Sequence, residues 1–182
     1  LGVLGMPYSG HGMPGRSAVE YGLAAQELEA GDSGLRTFVS VQGSLAMGAI
    51  HKHGSEEQKA QWLPRMTTGE AVGCFGLTEP GAGSDAGGTQ TTAALEDGQW
   101  RINGAKEFIT NSGTDITSLV TVTAVTGTVE GRTGHDGRPA KEISTILVPA
   151  GTEGFSVAKA YDKVGWNSSD THALHFSDVR VP

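Results

Sequence analysis

The chain has 182 residues, room for one domain or two small ones, and a net charge of −7 that argues against a basic nucleic-acid face. A single cysteine, Cys74, rules out an internal disulfide and points to a reducing compartment. No apolar run reaches the roughly 18–20 residues needed to cross a bilayer, and no signal peptide is visible.

Residues 1–70 read as helical. Ser17 and Glu20 form a capping-box pattern, Gly31 is placed as a stop, and Tyr21, Ala24, Ala25 and Leu28 fall on one helical face. A second helix is expected from about Ser33 to His53, ending at Gly54. A second capping box, Ser55-Glu56-Glu57-Gln58, opens a third helix that carries Trp62 and Leu63. Pro64 restarts that helix and Gly69 ends it.

From Ala71 onward, β-branched residues and turn pairs dominate. Strands are expected at 72–78, 89–96, 99–103, 105–110, 118–126, 142–148 and 171–181. Asp97-Gly98 and Asn103-Gly104 read as hairpin turns. Residues 127–141, with Arg132, His135, Asp136 and Arg138, read as a solvated mobile loop. The predicted class is therefore α+β: an N-terminal helical segment over 1–70, then an antiparallel β-barrel or sandwich over 71–182. The chain opens at Leu1 inside an apolar stretch and stops at a strand exit, as expected of a piece of a longer protein.

The most informative run is Cys74-Phe75-Gly76-Leu77-Thr78-Glu79-Pro80-Gly81-Ala82-Gly83-Ser84-Asp85. It reads as a buried strand breaking into a glycine-rich loop whose N–H groups are free to meet an anion. A planar cofactor with a diphosphate tail, such as FAD, suits it. A Rossmann or P-loop reading fails, because Thr89-Gln90-Thr91-Thr92 follows where a helix is required. Glu79 reads as a structural carboxylate accepting backbone N–H bonds, and Cys74 as a small buried residue. His51 and His53 do not share a helix face, and His172 and His175 point to opposite faces of a strand, so no metal site is expected.

Four ordered motifs resemble the acyl-CoA dehydrogenase family. They are Ser55-Glu56-Glu57-Gln58-Lys59 with Leu63-Pro64; the run from Gly73 to Asp85; Ile102-Asn103-Gly104-Ala105-Lys106-Glu107-Phe108-Ile109-Thr110-Asn111; and Lys163-Val164-Gly165-Trp166-Asn167-Ser168-Ser169-Asp170-Thr171 with residues 176–182. The resemblance implies a three-part subunit, of which this chain would hold the end of the N-terminal helices and the whole middle β-domain, without the C-terminal helical bundle. It implies FAD-dependent α,β-dehydrogenation of an acyl-CoA thioester. Its setting would be fatty acid or amino acid catabolism, in the cytoplasm or, in a eukaryote, the mitochondrial matrix.

By the same resemblance, Phe75, Leu77 and Thr78 line the flavin ring. Gly81, Ala82, Gly83 and Ser84 approach the diphosphate, and Phe108, Ile109 and Thr110 form a second wall. Phe108 stands where the family commonly has Trp, which removes an indole donor. Ser84 would also touch the thioester substrate. The base glutamate is expected beyond Pro182, so no catalytic residue lies in this chain, which alone is expected to be inactive. An electron-transferring flavoprotein is the implied acceptor and a homotetramer the implied assembly.

The segment around Arg36 is especially similar to glutaryl-CoA dehydrogenases. The resemblance makes Arg36, with Thr37 beside it, the reader of a far carboxylate; the alternative is an ordinary surface or helix-capping arginine. Residues 127–141 and 163–171 look like the broader acyl-CoA group and not the glutaryl branch, and Asn167 stands where the family often has Arg. Other readings of the chain are a flavin-dependent monooxygenase, a dehydrogenase of acyl-carrier-protein thioesters, and a scaffold that has lost flavin.

Overall fold

The computed structural model describes residues 2–134 and 137–182; His135 and Asp136, read above as loop, lie outside the described residues. The first residues are not helical as expected. They form turns and a two-stranded ribbon, β1 (Ser9–Gly10) with β2 (Met13–Pro14). Gly5, Gly10, Gly12 and Gly15 all take positive φ there, which a helix does not accommodate.

Helix α1 (Ala18–Gly31) begins at the expected capping box, with Ser17 and Glu20 bonding each other's backbone N–H. Its expected apolar face is only half-buried, and Val19 and Leu23 are exposed. Asp32 ends α1 and caps α2 (Ser33–Ser40), accepting from the N–H groups of Gly34 at 2.7 Å and Leu35 at 3.1 Å. The helix expected to reach His53 does so, but its middle, Val41–Met47, is π-helical before α3 (Gly48–His53). Helix α4 (Glu56–Thr68) runs through Pro64 without a break and ends where Gly69 turns left-handed, φ 81°.

The strands are β3 (Val72–Gly76), β4 (Thr92–Glu96), β5 (Gln99–Thr110), β6 (Thr117–Thr133), β7 (Pro139–Pro149), β8 (Phe155–Val157) and β9 (Thr171–Val181). They make one seven-stranded sheet, and the α+β class holds. The pairing is mixed where an antiparallel sheet was expected. β6 is the spine: β7 pairs antiparallel to it, while β3 and then β4 run parallel to it. Gly76 pairs with Val122 and Thr92 with Val125, so the chain leaves β6 after Gly76, makes an excursion over residues 77–91, and rejoins it three residues further along. Because β3 and β4 run in the same direction along one edge of β6, a short link would join them, and residues 77–91 form an added excursion at that edge.

Three further expectations change. Asp97-Gly98 does turn β4 into β5, both residues at positive φ, but Asn103-Gly104 is no turn. The Asn103 side chain is engaged by Asp178 on β9, bonding both its carboxylate and its N–H, and the strand continues through a register shift. Gly104 is needed because a β-carbon would lie 2.7 Å from the Thr91 backbone. The loop expected at 127–141 is largely the two arms of the β6–β7 hairpin, since β6 persists to Thr133 and β7 begins at Pro139. Strand β8 was not expected.

Two cores result. One lies within the curled sheet, around Ile102, Ile109, Val120, Val122, Leu174 and Phe176. The other joins helices to sheet, with Met47, Ile50, Leu63 and Met66 against Ala71 and Leu119. Fully buried Gln42 keys the second: its amide donates to Met66 and Ala71 carbonyls and accepts from the Gly73 N–H at 2.8 Å. A β-carbon on Gly73 would sit 2.8 Å from Met66 and 2.9 Å from Ala46. Gly73→Val should therefore overpack this layer and cost about 1–3 kcal/mol, read as a lower urea midpoint.

Candidate functional site

The excursion at 77–91 is held by a buried ion pair. The Lys106 side chain is fully buried and its ammonium lies 2.7 Å from Glu79, 3.2 Å from the Leu77 carbonyl and 3.0 Å from the Thr123 hydroxyl. Three donors thus meet three acceptors. The Thr123 hydroxyl in turn donates a hydrogen bond to the Gly76 carbonyl at 3.2 Å. Glu79 accepts from the N–H groups of Gln90 at 2.7 Å and Thr91 at 3.0 Å, as a structural carboxylate should. Burial alone would push the Glu79 carboxyl up; Lys106 and the two amides outweigh it and hold Glu79 below the ordinary glutamate value. Burial pulls the Lys106 ammonium down, with Glu79 opposing.

This network fixes what surrounds it. Glu79 and Ala82 bond each other's backbone, closing a tight turn around Pro80 and Gly81. The Glu107 N–H donates to the Thr78 carbonyl at 2.8 Å, which sets the two expected walls, 75–78 and 108–110, side by side. Leu77 and Phe108 are both exposed, Phe108 at 65% and with φ 59°. The Phe108 ring packs on Tyr161, 5.1 Å between centroids, and Tyr161 donates to Glu107, a bond that raises its pKa.

Other expected residues divide. Phe75 is half-buried in β3, and Thr110 half-buried at the end of β5. The Ile109 side chain joins the sheet core, because the register shift between Lys106 and Ile109, with Phe108 at φ 59°, puts Ile109 and not Phe108 on the inward face shared by Ile102 and Lys106. Ala82 is buried, whereas Gly81, Gly83 and Ser84 are exposed. The amides of Gly81, Gly83 and Ser84 and the hydroxyls of Thr78 and Ser84 bond no described residue. A β-carbon at Gly83 would meet nothing within 4 Å. Free donors along an open backbone, beside exposed apolar side chains, fit a diphosphate tail and a planar ring. Cys74 is inert in the core, its thiol pushed up to about 12 by burial.

Arg36 lies on α2. Its Nε donates to Glu29 at 2.5 Å, its guanidinium lies 5.6 Å from the centre of the Trp166 ring, and its two Nη groups bond no described residue. Thr37 is buried, its hydroxyl donating to the Ser33 carbonyl. Asn111 donates to the Phe38 carbonyl at 3.3 Å, which ties the helix carrying Arg36 to the end of the strand carrying Phe108. His172 is buried in β9 and His175 exposed; no metal-binding group of histidine, cysteine and carboxylate exists among the described residues.

The family pattern of the acyl-CoA dehydrogenase middle domain matches residues 74–179, and that of the N-terminal domain matches residues 1–70. The chain belongs to the acyl-CoA dehydrogenase family. A solved glutaryl-CoA dehydrogenase from Mycobacterium smegmatis, in complex with FADH2, is 46% identical with a TM-score of 0.89, covering 100% of this chain and 43% of that one. A probable acyl-CoA dehydrogenase of Bacillus subtilis is 41% identical over 100% of this chain and 46% of its own length. A mitochondrial short-chain specific acyl-CoA dehydrogenase of Rattus norvegicus is 39% identical over 92% of this chain and 38% of its own length. A structure described as the electron transferring flavoprotein of Acidaminococcus fermentans is 37% identical, with a TM-score of 0.86, over 100% of this chain and 45% of that one. The chain thus spans less than half the length of these relatives. No helix among the described residues is long and apolar enough to cross a membrane.

Sequence reasoning missed Lys106, Thr123 and Trp166. The signal for Lys106 was a lysine at an inward strand position between Ile102 and Ile109, which demands a buried acid partner. Lys106→Met should leave Glu79 buried and uncompensated and cost about 3–5 kcal/mol, while Glu79→Gln with Lys106→Met should recover part of that in urea unfolding. Because the folded Glu79 carboxyl is depressed, its stabilisation is full above the ordinary value of 4.5 and is lost as pH falls through the lower folded value. Acid titration of the wild type should show this loss below about pH 4.5, and Glu79→Gln should flatten it.

Proposed function

We propose that the full-length protein is an FAD-dependent acyl-CoA dehydrogenase that forms the α,β double bond of a short dicarboxylic thioester of the glutaryl-CoA kind. The observation that carries the reading is the excursion at 77–91, where free amides and hydroxyls adjoin the exposed Leu77 and Phe108. Gly81, Gly83 and Ser84 would hold the FAD diphosphate by their main-chain N–H groups, and the Thr78 hydroxyl would meet the polar edge of the ring. Phe75, Leu77 and Phe108 would bound the ring and exclude water, with Ile109 and Thr110 contributing backbone beside it. When bound, FAD supplies the two-electron acceptor for the β-hydrogen. The thioester acidifies the α C–H, and the base that removes that proton is a glutamate we place beyond Pro182. Ser84 would also contact the thioester.

Arg36 supports the dicarboxylic assignment. With Nε spent on Glu29, its two Nη groups present a fork suited to a second carboxylate, and Thr37 follows on the same helix. The similarity to a glutaryl-CoA dehydrogenase is in keeping with this. An electron-transferring flavoprotein would reoxidise the enzyme, and we assign a homotetramer in the bacterial cytoplasm or the mitochondrial matrix.

The purified full-length protein should carry flavin absorbance, and glutaryl-CoA should bleach it. Arg36→Ala should raise KM for glutaryl-CoA roughly 10- to 100-fold, the worth of a charge-assisted hydrogen bond, and leave pentanoyl-CoA within twofold. Equal losses with both substrates would refute the carboxylate-reader assignment.

A further inference from the structure

Trp166 breaks the local rules of the chain. It is a bulky residue with φ 56°, a left-handed conformation that such side chains avoid, and the residue is 53% exposed, so the strain is not offset by core packing. The segment is nevertheless fixed. Ser169 N–H donates to the Trp166 carbonyl at 3.0 Å, and the Ser168 hydroxyl donates to Asp32 at 2.5 Å, across to the start of α2. Gly34 allows the approach, since a β-carbon there would lie 2.9 Å from the Ser169 nitrogen. What this clasp delivers is an indole ring 5.6 Å from the Arg36 guanidinium.

A guanidinium held only at Nε can still rotate its plane. Glu29 supplies the in-plane contact at Nε, and the indole supplies a face on one side. Together they restrict both the direction and the plane of the fork, leaving the Nη edge for a ligand. We infer that Trp166 is a positioning residue that presents Arg36 to a terminal carboxylate and so contributes to dicarboxylic over monocarboxylic preference. The inference rests on the Arg36 reading proposed above.

The test uses full-length, flavin-loaded protein with glutaryl-CoA and pentanoyl-CoA, together with equilibrium binding of a non-oxidisable glutaryl-CoA thioether. Trp166→Leu should raise glutaryl-CoA KM and the thioether Kd about 3- to 10-fold, leaving kcat and pentanoyl-CoA KM within twofold. Trp166→Phe should restore most of the loss, and Trp166→Leu should add little in an Arg36→Ala background. If Arg36→Ala is selective and Trp166→Leu is not, the positioning role is wrong and the carboxylate reader stands. If Arg36→Ala itself affects both substrates alike, both fall. A misfolded Leu variant would lose flavin and both substrates together, and Trp166→Gln, which keeps length but removes the aromatic face, then decides: a glutaryl-CoA KM that rises more than that for pentanoyl-CoA upholds the role, and equal changes in the two overturn it.

Discussion

A lysine and a glutamate with almost no exposure sit where the sheet has a hole. Between Gly76 and Thr92 the edge of β6 has no neighbouring strand, and Lys106 reaches into that gap from β5 to meet Glu79, the Leu77 carbonyl and Thr123. Removing two charges from water is costly, and their attraction compensates only when every remaining donor and acceptor is matched. Here they are, through Gln90, Thr91 and the Thr123 hydroxyl. The network closes the hole without another strand, and the chain between its anchor points is left at the surface with unmatched donors. A rigid base therefore carries an open loop, the combination a large anionic cofactor needs.

The helical layer makes a second contribution. Arg36 stands on α2, yet its surroundings come from three places: Glu29 on α1, Trp166 from the connection before β9, and Asn111 tying α2 to the end of β5. The orientation of one side chain thus depends on helix–sheet contact. The same contact ties α2 to the end of β5, the strand that carries Phe108.

Much of this was legible in residues. The capping boxes at Ser17 and Ser55, the Asp97-Gly98 turn and the glycine-rich loop after Thr78 are short-range signals, and local chemistry decides them. What escaped was decided by partners far along the chain. Asn103-Gly104 has turn chemistry, but Asp178 engages the asparagine. Residues 127–141 look like loop because each arm of the hairpin gains its order only from the other. The parallel pairing of β3 and β4 with β6 joins residues far apart in the chain, which no periodicity reveals. The resemblance groups Ile109 with Phe108 and Thr110, and the bulge at Phe108 turns the Ile109 side chain to the core, a local break in alternation that sequence periodicity does not show. The role of Lys106 is hidden in the sequence, since a lysine is ordinarily a surface residue and its acid partner lies 27 positions away.

The Gln42 amide has one further implication. It satisfies backbone groups at the end of α4, at the turn and in β3, so the helical layer and the sheet are matched like a key and its ward. Recombining helices from one homologue with a sheet from another would succeed only when the glutamine and the missing side chain at Gly73 travel together, which makes this pair the natural seam to preserve in building hybrid enzymes.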